Sequence, residues 1–189
     1  MELKNDKIRI YTTNEIFKDK TKSLNLSENA GLDLYLDLSE GIKESIKFSV
    51  DEYVPPEITI NGDIIKISPI GGLTSYPFIL YVKTGVYLDL PQGVHAIVSG
   101  RSGRFFKDSI DVFRGIIDSS YRGEIVVGLI VYRKTPTYLN INNAIAQLVF
   151  LDNTNLMKID VEFVNSREEL SSSSRGDKGF GSSDNGKIV

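Results

Sequence analysis

Gly115-Ile116-Ile117-Asp118-Ser119-Ser120-Tyr121-Arg122-Gly123 runs through Glu124 straight into the apolar stretch Ile125–Tyr132. Two β-branched runs flank a polar turn, so the segment predicts a strand, a bend carrying one carboxylate, and a second strand. Outward from this hairpin the apolar residues mostly keep a period of two or form short β-branched runs. The predicted strands are Lys7–Tyr11, Leu32–Leu38, Ile46–Val50, Ile58–Ile60, Ile64–Ile67, Phe78–Val82, Val86–Leu90, His95–Ser99, Thr137–Ile141, Ala144–Leu151 and Ile159–Val164. Asn61-Gly62 tolerates positive φ at both central turn positions and predicts a hairpin over Ile58–Ile67. Helical signals are thin, confined to Thr13–Phe17 and Ser102–Lys107. Many short strands with Gly-rich turns and no internal repeat give an all-β sandwich, jelly roll or barrel.

Composition narrows the chemistry. At 189 residues the chain corresponds to about one domain. A net charge of −3 supplies no basic field for nucleic acid or an anionic membrane. The longest strongly apolar stretch, Ile125–Tyr132, falls well short of the ~18 residues a membrane helix needs. Met1–Asp6 is polar and acidic with no apolar core, which predicts a protein that is not secreted and stays in the cytoplasm, or in the host cytoplasm or nucleus for a viral chain. Cysteine is absent, excluding disulfides, Cys-zinc sites and thiol catalysis, and the single His95 argues against a Ser-His-Asp triad or a multi-His metal site. Carboxylates, hydroxyls, arginine and backbone amides remain to do the work.

From Asn165 to Val189, 7 Ser and 4 Gly leave too little apolar area to offset the entropy of ordering, so 165–189 is predicted as a flexible arm on a 1–164 domain. Within it, Arg175-Gly176-Asp177-Lys178-Gly179-Phe180-Gly181-Ser182-Ser183 suits closure over a planar anion. Glycines admit backbone N–H groups to phosphate oxygens, Arg175 forks to a terminal phosphate, and Phe180 stacks on a ring. The near match to a phosphate-binding P-loop lacks its lysine and its strand–helix frame, and is rejected.

Three further segments join the hairpin and the arm: Ala30-Gly31-Leu32-Asp33-Leu34-Tyr35, Gly100-Arg101-Ser102-Gly103 and Asn143-Ala144-Ile145-Ala146-Gln147-Leu148. In this order the five segments resemble the five motifs of the homotrimeric deoxyuridine triphosphatases (dUTPases), across residues 30–183. The resemblance implies a distorted jelly-roll β-sandwich and hydrolysis of dUTP to dUMP and pyrophosphate, limiting uracil in DNA and supplying dUMP. It implies water attack on the α-phosphorus, with Mg2+ on the triphosphate. Asp118 matches the carboxylate that primes the water. Gly115, Ile116 and Ile117 belong to the hairpin that reads uracil through main-chain groups, and Tyr121 matches the aromatic under the deoxyribose. Arg101, Ser102 and Gly103 match the phosphate turn, and Gln147 a further phosphate or water contact. Asp33 matches a carboxylate that holds the metal's water shell. Arg175 should meet the γ-phosphate, Phe180 the uracil, and Gly181 and Ser182 the phosphates. The resemblance also implies sites shared by three chains, one supplying the first, second and fourth motifs, another the third, and the last its arm. A span of roughly ten residues from Asn165 to Ser174 can extend about 33 Å to a neighbour.

The chain departs from the family in three places. Gly100 stands where Pro is usual, and Arg104, Phe105 and Phe106 replace small apolar residues. The 68-residue spacing from Asp33 to Arg101 implies an insertion near 39–76, read as a surface excursion and a candidate partner-binding element. The alternatives are a dCTP deaminase, alone or bifunctional with dUTP hydrolysis, and a regulatory interaction protein using that insertion.

Overall fold

The computed structural model describes residues 7–22, 31–48, 54–70, 77–132, 134–152, 160–173 and 176–177. In chain order the strands are β1 (Lys7–Thr12), β2 (Leu32–Leu34), β3 (Ile46–Phe48), β4 (Glu57–Asn61), β5 (Ile64–Ser68), β6 (Phe78–Asp89), β7 (Val94–Ser99), β8 (Ile110–Val112), β9 (Gly115–Ile117), β10 (Glu124–Val131), β11 (Thr137–Asn140), β12 (Ala146–Asp152) and β13 (Asp160–Phe163). Three short helices accompany them: α1 (Glu15–Thr21), α2 (Ile42–Ser45) and α3 (Ser102–Asp108). No helix among the described residues is long and apolar enough to cross a membrane.

Period two builds the layers. In β10 the alternate residues Ile125, Val127, Leu129 and Val131 are buried, and Ile8 and Ile10 do the same in β1. One sheet runs β13-β1-β6-β10-β8, with β3 also paired to β6, and a second runs β2-β12-β7-β9. Both sheets and the β5 residues Ile65 and Ile67 supply one buried cluster, so the fold is an all-β, jelly-roll-like sandwich.

Several boundaries differ from the sequence reading for physical reasons. Phe78–Val82 and Val86–Leu90 form the single strand β6, because the Thr84 hydroxyl donates to the Ile125 carbonyl (2.6 Å) and the Gly85 N–H to the Glu124 carboxylate (2.8 Å). The register shift between Glu124 and Val126 absorbs the irregularity. Leu32–Leu38 shortens to β2, since Ile145 N–H takes the Leu34 carbonyl and the Asn14 side chain takes that of Tyr35. The same Asn14 caps α1 by accepting from Phe17 N–H (3.1 Å), extending the helix to Thr21. In the β4–β5 hairpin Asn61 pairs with Ile64, so the two turn residues are Gly62 and Asp63, and only Gly62 has positive φ. That is the pattern of a type II′ turn, with glycine first. The 39–76 stretch is also more than a surface excursion. Its β3 joins the main sheet through Ile46, and β5 pairs with β11 while burying Ile65 and Ile67.

Candidate functional site

The β2-β12-β7-β9 sheet carries four of the five segments. Gln147 lies opposite Asp33 on one side and Ser99 on the other. Its Nε2 donates to the Gly100 carbonyl (3.3 Å), and Asp33 Oδ2 meets Arg101 Nη1 at 3.4 Å. The structure therefore brings Asp33, Arg101 and Gln147 together at one sheet end. Gly31 fixes the approach: a Cβ there would stand 1.9 Å from the Leu148 carbonyl oxygen, so only glycine lets β2 lie this close to β12. Burial pushes the Asp33 carboxyl up, opposed by the Arg101 guanidinium, and burial beside Asp33 pushes the Tyr35 phenol up as well. Arg101, Ser102 and Gly103 are exposed. They open α3, where the Arg104 N–H already donates to the Arg101 carbonyl (3.0 Å) and the Ser102 and Gly103 N–H groups precede the first helical hydrogen bond.

The strand, bend and strand around Asp118 form as expected, but not as a hairpin: β10 pairs with β6 and β8, so the Asp118 turn carries the chain from one sheet to the other. β9 pairs with β7 and is the sheet's edge strand. The turn closes through Tyr121 N–H to the Asp118 carbonyl (3.0 Å), leaving Asp118 half-buried. Tyr121 Oη donates to the Glu124 carbonyl (3.0 Å), and its ring covers Gly123, where a Cβ would stand 2.3 Å from that oxygen. Arg122 Nη1 donates to the carbonyls of Ser119 (2.7 Å) and Tyr121 (3.0 Å). Burial raises the neighbouring Glu124 carboxyl, while the Gly85 N–H it accepts pulls the other way.

Register separates these two groups. Ile117 faces Ala96, so Asp118 stands level with His95, whereas Asp33 stands level with Ser99. Four residues of offset amount to roughly 13 Å along the strands, and three strand spacings to about 14 Å across, placing Asp118 about 20 Å from Asp33 within one chain. That exceeds the length of a triphosphate.

Residues 165–173 do not behave as their composition predicts. Ser166 and Glu169 form a capping box around a 3₁₀ turn, and Leu170 is buried. Ser171 donates from its N–H and its hydroxyl to Asp89 (both 3.0 Å), and Ser173 Oγ donates to the Ser120 carbonyl. Gly176 forms a bridge to Tyr121 of the same chain. Within 165–173, polar partners thus supply order that apolar area alone does not, while Ser174 lies outside the described residues. Arg175, Phe180, Gly181 and Ser182 lie outside the described residues.

Asp89, almost wholly buried, was missed from the sequence. Its only signal is a carboxylate closing the apolar alternation of β6 just before Pro91. It pairs with Arg122 Nη2 (2.5 Å) and Arg9 Nη1 (3.7 Å). Burial lowers the Arg122 guanidinium and Asp89 counters it. Among the described residues, no group of three or more His, Asp or Glu is arranged to hold a metal.

The family model of the dUTPases matches residues 79–184, more than half of the chain, spanning the Arg101 turn, the Asp118 turn, Gln147 and Arg175–Ser183. The chain belongs to the dUTPase family. Asp33 precedes the matched region, so the β2–β12 register is what joins it to the dUTPase segments. Among the relatives, a deoxyuridine 5'-triphosphate nucleotidohydrolase of Yaba monkey tumor virus is 36% identical over 102 residues, covering 54% of this chain and 67% of the viral one. That of Clostridium acetobutylicum is 41% identical over 103 residues, covering 53% and 67%. That of Solanum lycopersicum is 37% identical over 101 residues, covering 53% and 56%. Staphylococcus bacteriophage 80alpha dUTPase with dUpNHpp aligns at a TM-score of 0.48 and 18% identity over 93% of this chain and 96% of its own. The dUTPase from phage phi11 of S. aureus aligns at 0.47 and 16%, over 77% and 89%.

Proposed function

We propose that this chain hydrolyses dUTP to dUMP and pyrophosphate, with Asp118 as the base that orients and deprotonates the attacking water. The observation that carries this reading is the dUTPase match over residues 79–184, a range that includes the phosphate turn, the Asp118 turn and Arg175–Ser183. A base of this kind contributes about 10²–10⁴-fold. Charge neutralisation by Arg101 and the α3 amides, with Gln147 and Arg175, supplies positioning on the phosphates. As the edge strand, β9 has one row of main-chain groups free of sheet pairing. Fixed groups of this kind suit a reader of uracil, since cytosine would leave buried donors and acceptors unpaired and be rejected by about 10⁴-fold. Tyr121, pinned through its hydroxyl over Gly123, suits a wall against a 2′-OH.

Each site is completed between copies of the chain, and we take the assembly to be a trimer. The separation of about 20 Å between Asp118 and Asp33 supports this, because one triphosphate cannot engage both ends of one sheet. Exposed Phe106 (82%), Phe113 (61%) and Ile116 (70%) offer apolar surface for such contacts. With Asp33 as the nearby carboxylate, the donor set fits a Mg2+ carried by the triphosphate and its waters better than a resident metal. Bound there, Mg2+ would neutralise phosphate charge. Asp33 would hold its water shell, and its pairing with Arg101 would align the phosphate turn.

Pyrophosphate release from each deoxynucleoside triphosphate and from UTP tests the reading. Turnover confined to dUTP is expected. Ammonia release from dCTP would favour the deaminase alternative, and inertness toward dUTP would remove the hydrolase.

A further inference from the structure

Two bonds cross between the phosphate turn and the start of β12. Gln147 Nε2 donates to the Gly100 carbonyl (3.3 Å), and Arg104 Nε donates back to the Ala144 carbonyl (3.4 Å). One side chain from each segment thus reaches the main chain of the other, and Arg101, Ser102 and Gly103 lie between the two attachment points. The main chain of Arg104 closes the same turn, its N–H donating to the Arg101 carbonyl (3.0 Å). Its Nη1 meets Asp108 Oδ2 (3.0 Å) one turn along α3.

The strand side of this link is fixed. Ile145 N–H donates to the Leu34 carbonyl (2.8 Å), while Ile141 N–H and Asn142 Nδ2 donate to the Asp63 carbonyl (3.0 Å) and carboxylate (2.9 Å). Ala144 itself is buried. The helix side differs: α3 buries none of its residues, and Ser102, Gly103, Phe105, Phe106 and Lys107 are exposed. A helix of seven residues is marginal without tertiary support. The Arg104 side chain, 13% exposed, lies back against the body, and its Nη2 is buried with no acceptor among the described residues. A buried donor left unpaired lowers stability where an apolar side chain of similar bulk would not, so stability alone does not account for an arginine here.

We propose that Arg104 is a positioning residue that moors the Arg101–Gly103 turn to the Gln147 strand. Resting on the hydrolase reading, this adds that the phosphate donors of the second and fourth segments are held in register by a side chain outside both sets. Proline at position 100 would fix φ at the entry of the turn; with Gly100 there, Arg104 supplies the restraint from the far end. The turn holds phosphates before and during reaction alike, so loosening it falls on binding of the triphosphate rather than on the water-activating step at Asp118.

The test compares full-length wild type, R104M and R104K. Methionine keeps the unbranched bulk and removes every donor, whereas lysine keeps the charge but cannot serve the Ala144 carbonyl and Asp108 from one planar fork. The readouts are KM and kcat for dUTP, equilibrium binding of an α,β-imido analogue of dUTP, amide hydrogen exchange of the free protein and its thermal midpoint. R104M should raise KM and analogue Kd together by about 5–20-fold, with kcat within about threefold of wild type. Amides of α3 should exchange about tenfold faster while those of β6 keep their rates, and the midpoint should stay within about 3 °C. R104K should fall between, with analogue affinity about threefold weaker. Analogue affinity in R104M within about twofold of wild type overturns the mooring, as does a loss seen wholly in kcat. Faster exchange spread through β6 overturns it too, since Arg104 would then support the whole fold. If R104M does not fold, R104K decides, and wild-type affinity and exchange there overturn the mooring equally. A wild type that does not hydrolyse dUTP defeats the hydrolase reading alone; the exchange comparison then still decides the mooring, which unchanged α3 rates in R104M would overturn.

Discussion

Two variants that are each inactive should rescue one another when their chains are mixed. Asp118→Asn removes the base while leaving the Arg101–Asp33–Gln147 group intact, and Arg101→Ala does the reverse. Within one chain those groups lie about 20 Å apart, from four residues of strand offset and three strand spacings. A site that takes its phosphate turn from one chain and its Asp118 turn from another is whole only where the first chain is the Asp118→Asn variant and the second is Arg101→Ala. For random assembly of a 1:1 mixture, each condition holds for half the chains, so about a quarter of the sites should be whole. The assay is pyrophosphate release after the denatured variants are mixed and refolded together, against each variant refolded alone and wild type treated alike. About 25% of wild-type activity is expected from the mixture, with neither variant above background. A mixture no more active than its components would show that both groups act within one chain, and would refute the register reasoning.

Truncation separates the arm from its root. Deleting 178–189 should cut kcat sharply without moving the thermal midpoint. Deleting 170–189 should also cost about 1–3 kcal/mol by chemical denaturation, because buried Leu170 and the two Ser171 bonds to Asp89 go with it. Gly31→Ala, with its Cβ 1.9 Å from the Leu148 carbonyl oxygen, should destabilise the fold by about 1–3 kcal/mol and weaken phosphate binding by shifting Asp33. Denaturant midpoints and analogue titration check both effects. Glu124 has a carboxyl raised from 4.5 by burial, so the folded state holds its proton more tightly than the unfolded state. That contribution is complete below pH 4.5 and is lost as pH rises through the raised value. Glu124→Gln should therefore gain stability relative to wild type as pH rises above 4.5, by under about 1 kcal/mol given partial solvent screening. A difference that shrinks as pH rises would contradict this.

The sheet order was less legible than the strands. Period two exposed most of the strands because alternate burial leaves its mark on every residue, as in Ile125, Val127, Leu129 and Val131. Short β8 and four-residue α2 were missed, being too brief to show a period. The Asp118 turn, the Arg101 turn and Gln147 were readable as local segments, but that the strands flanking Asp118 part into two sheets was not. That Asp33 and Asp118 belong to opposite ends of one sheet was not, since it follows from long-range register among β2, β12, β7 and β9. Residues 165–173 misled for a related reason. Their order comes from Asp89, Ser120 and Arg122, all more than 40 residues away in sequence, and composition carries no record of such partners.

The role of Asp118 is open to one decisive comparison: single-turnover hydrolysis of dUTP by wild type and Asp118→Asn, beside titration of both with the α,β-imido analogue. If Asp118 primes the water, hydrolysis falls by about 10²–10⁴-fold while analogue affinity changes little. Hydrolysis by the variant at the wild-type rate would mean that the water is activated elsewhere.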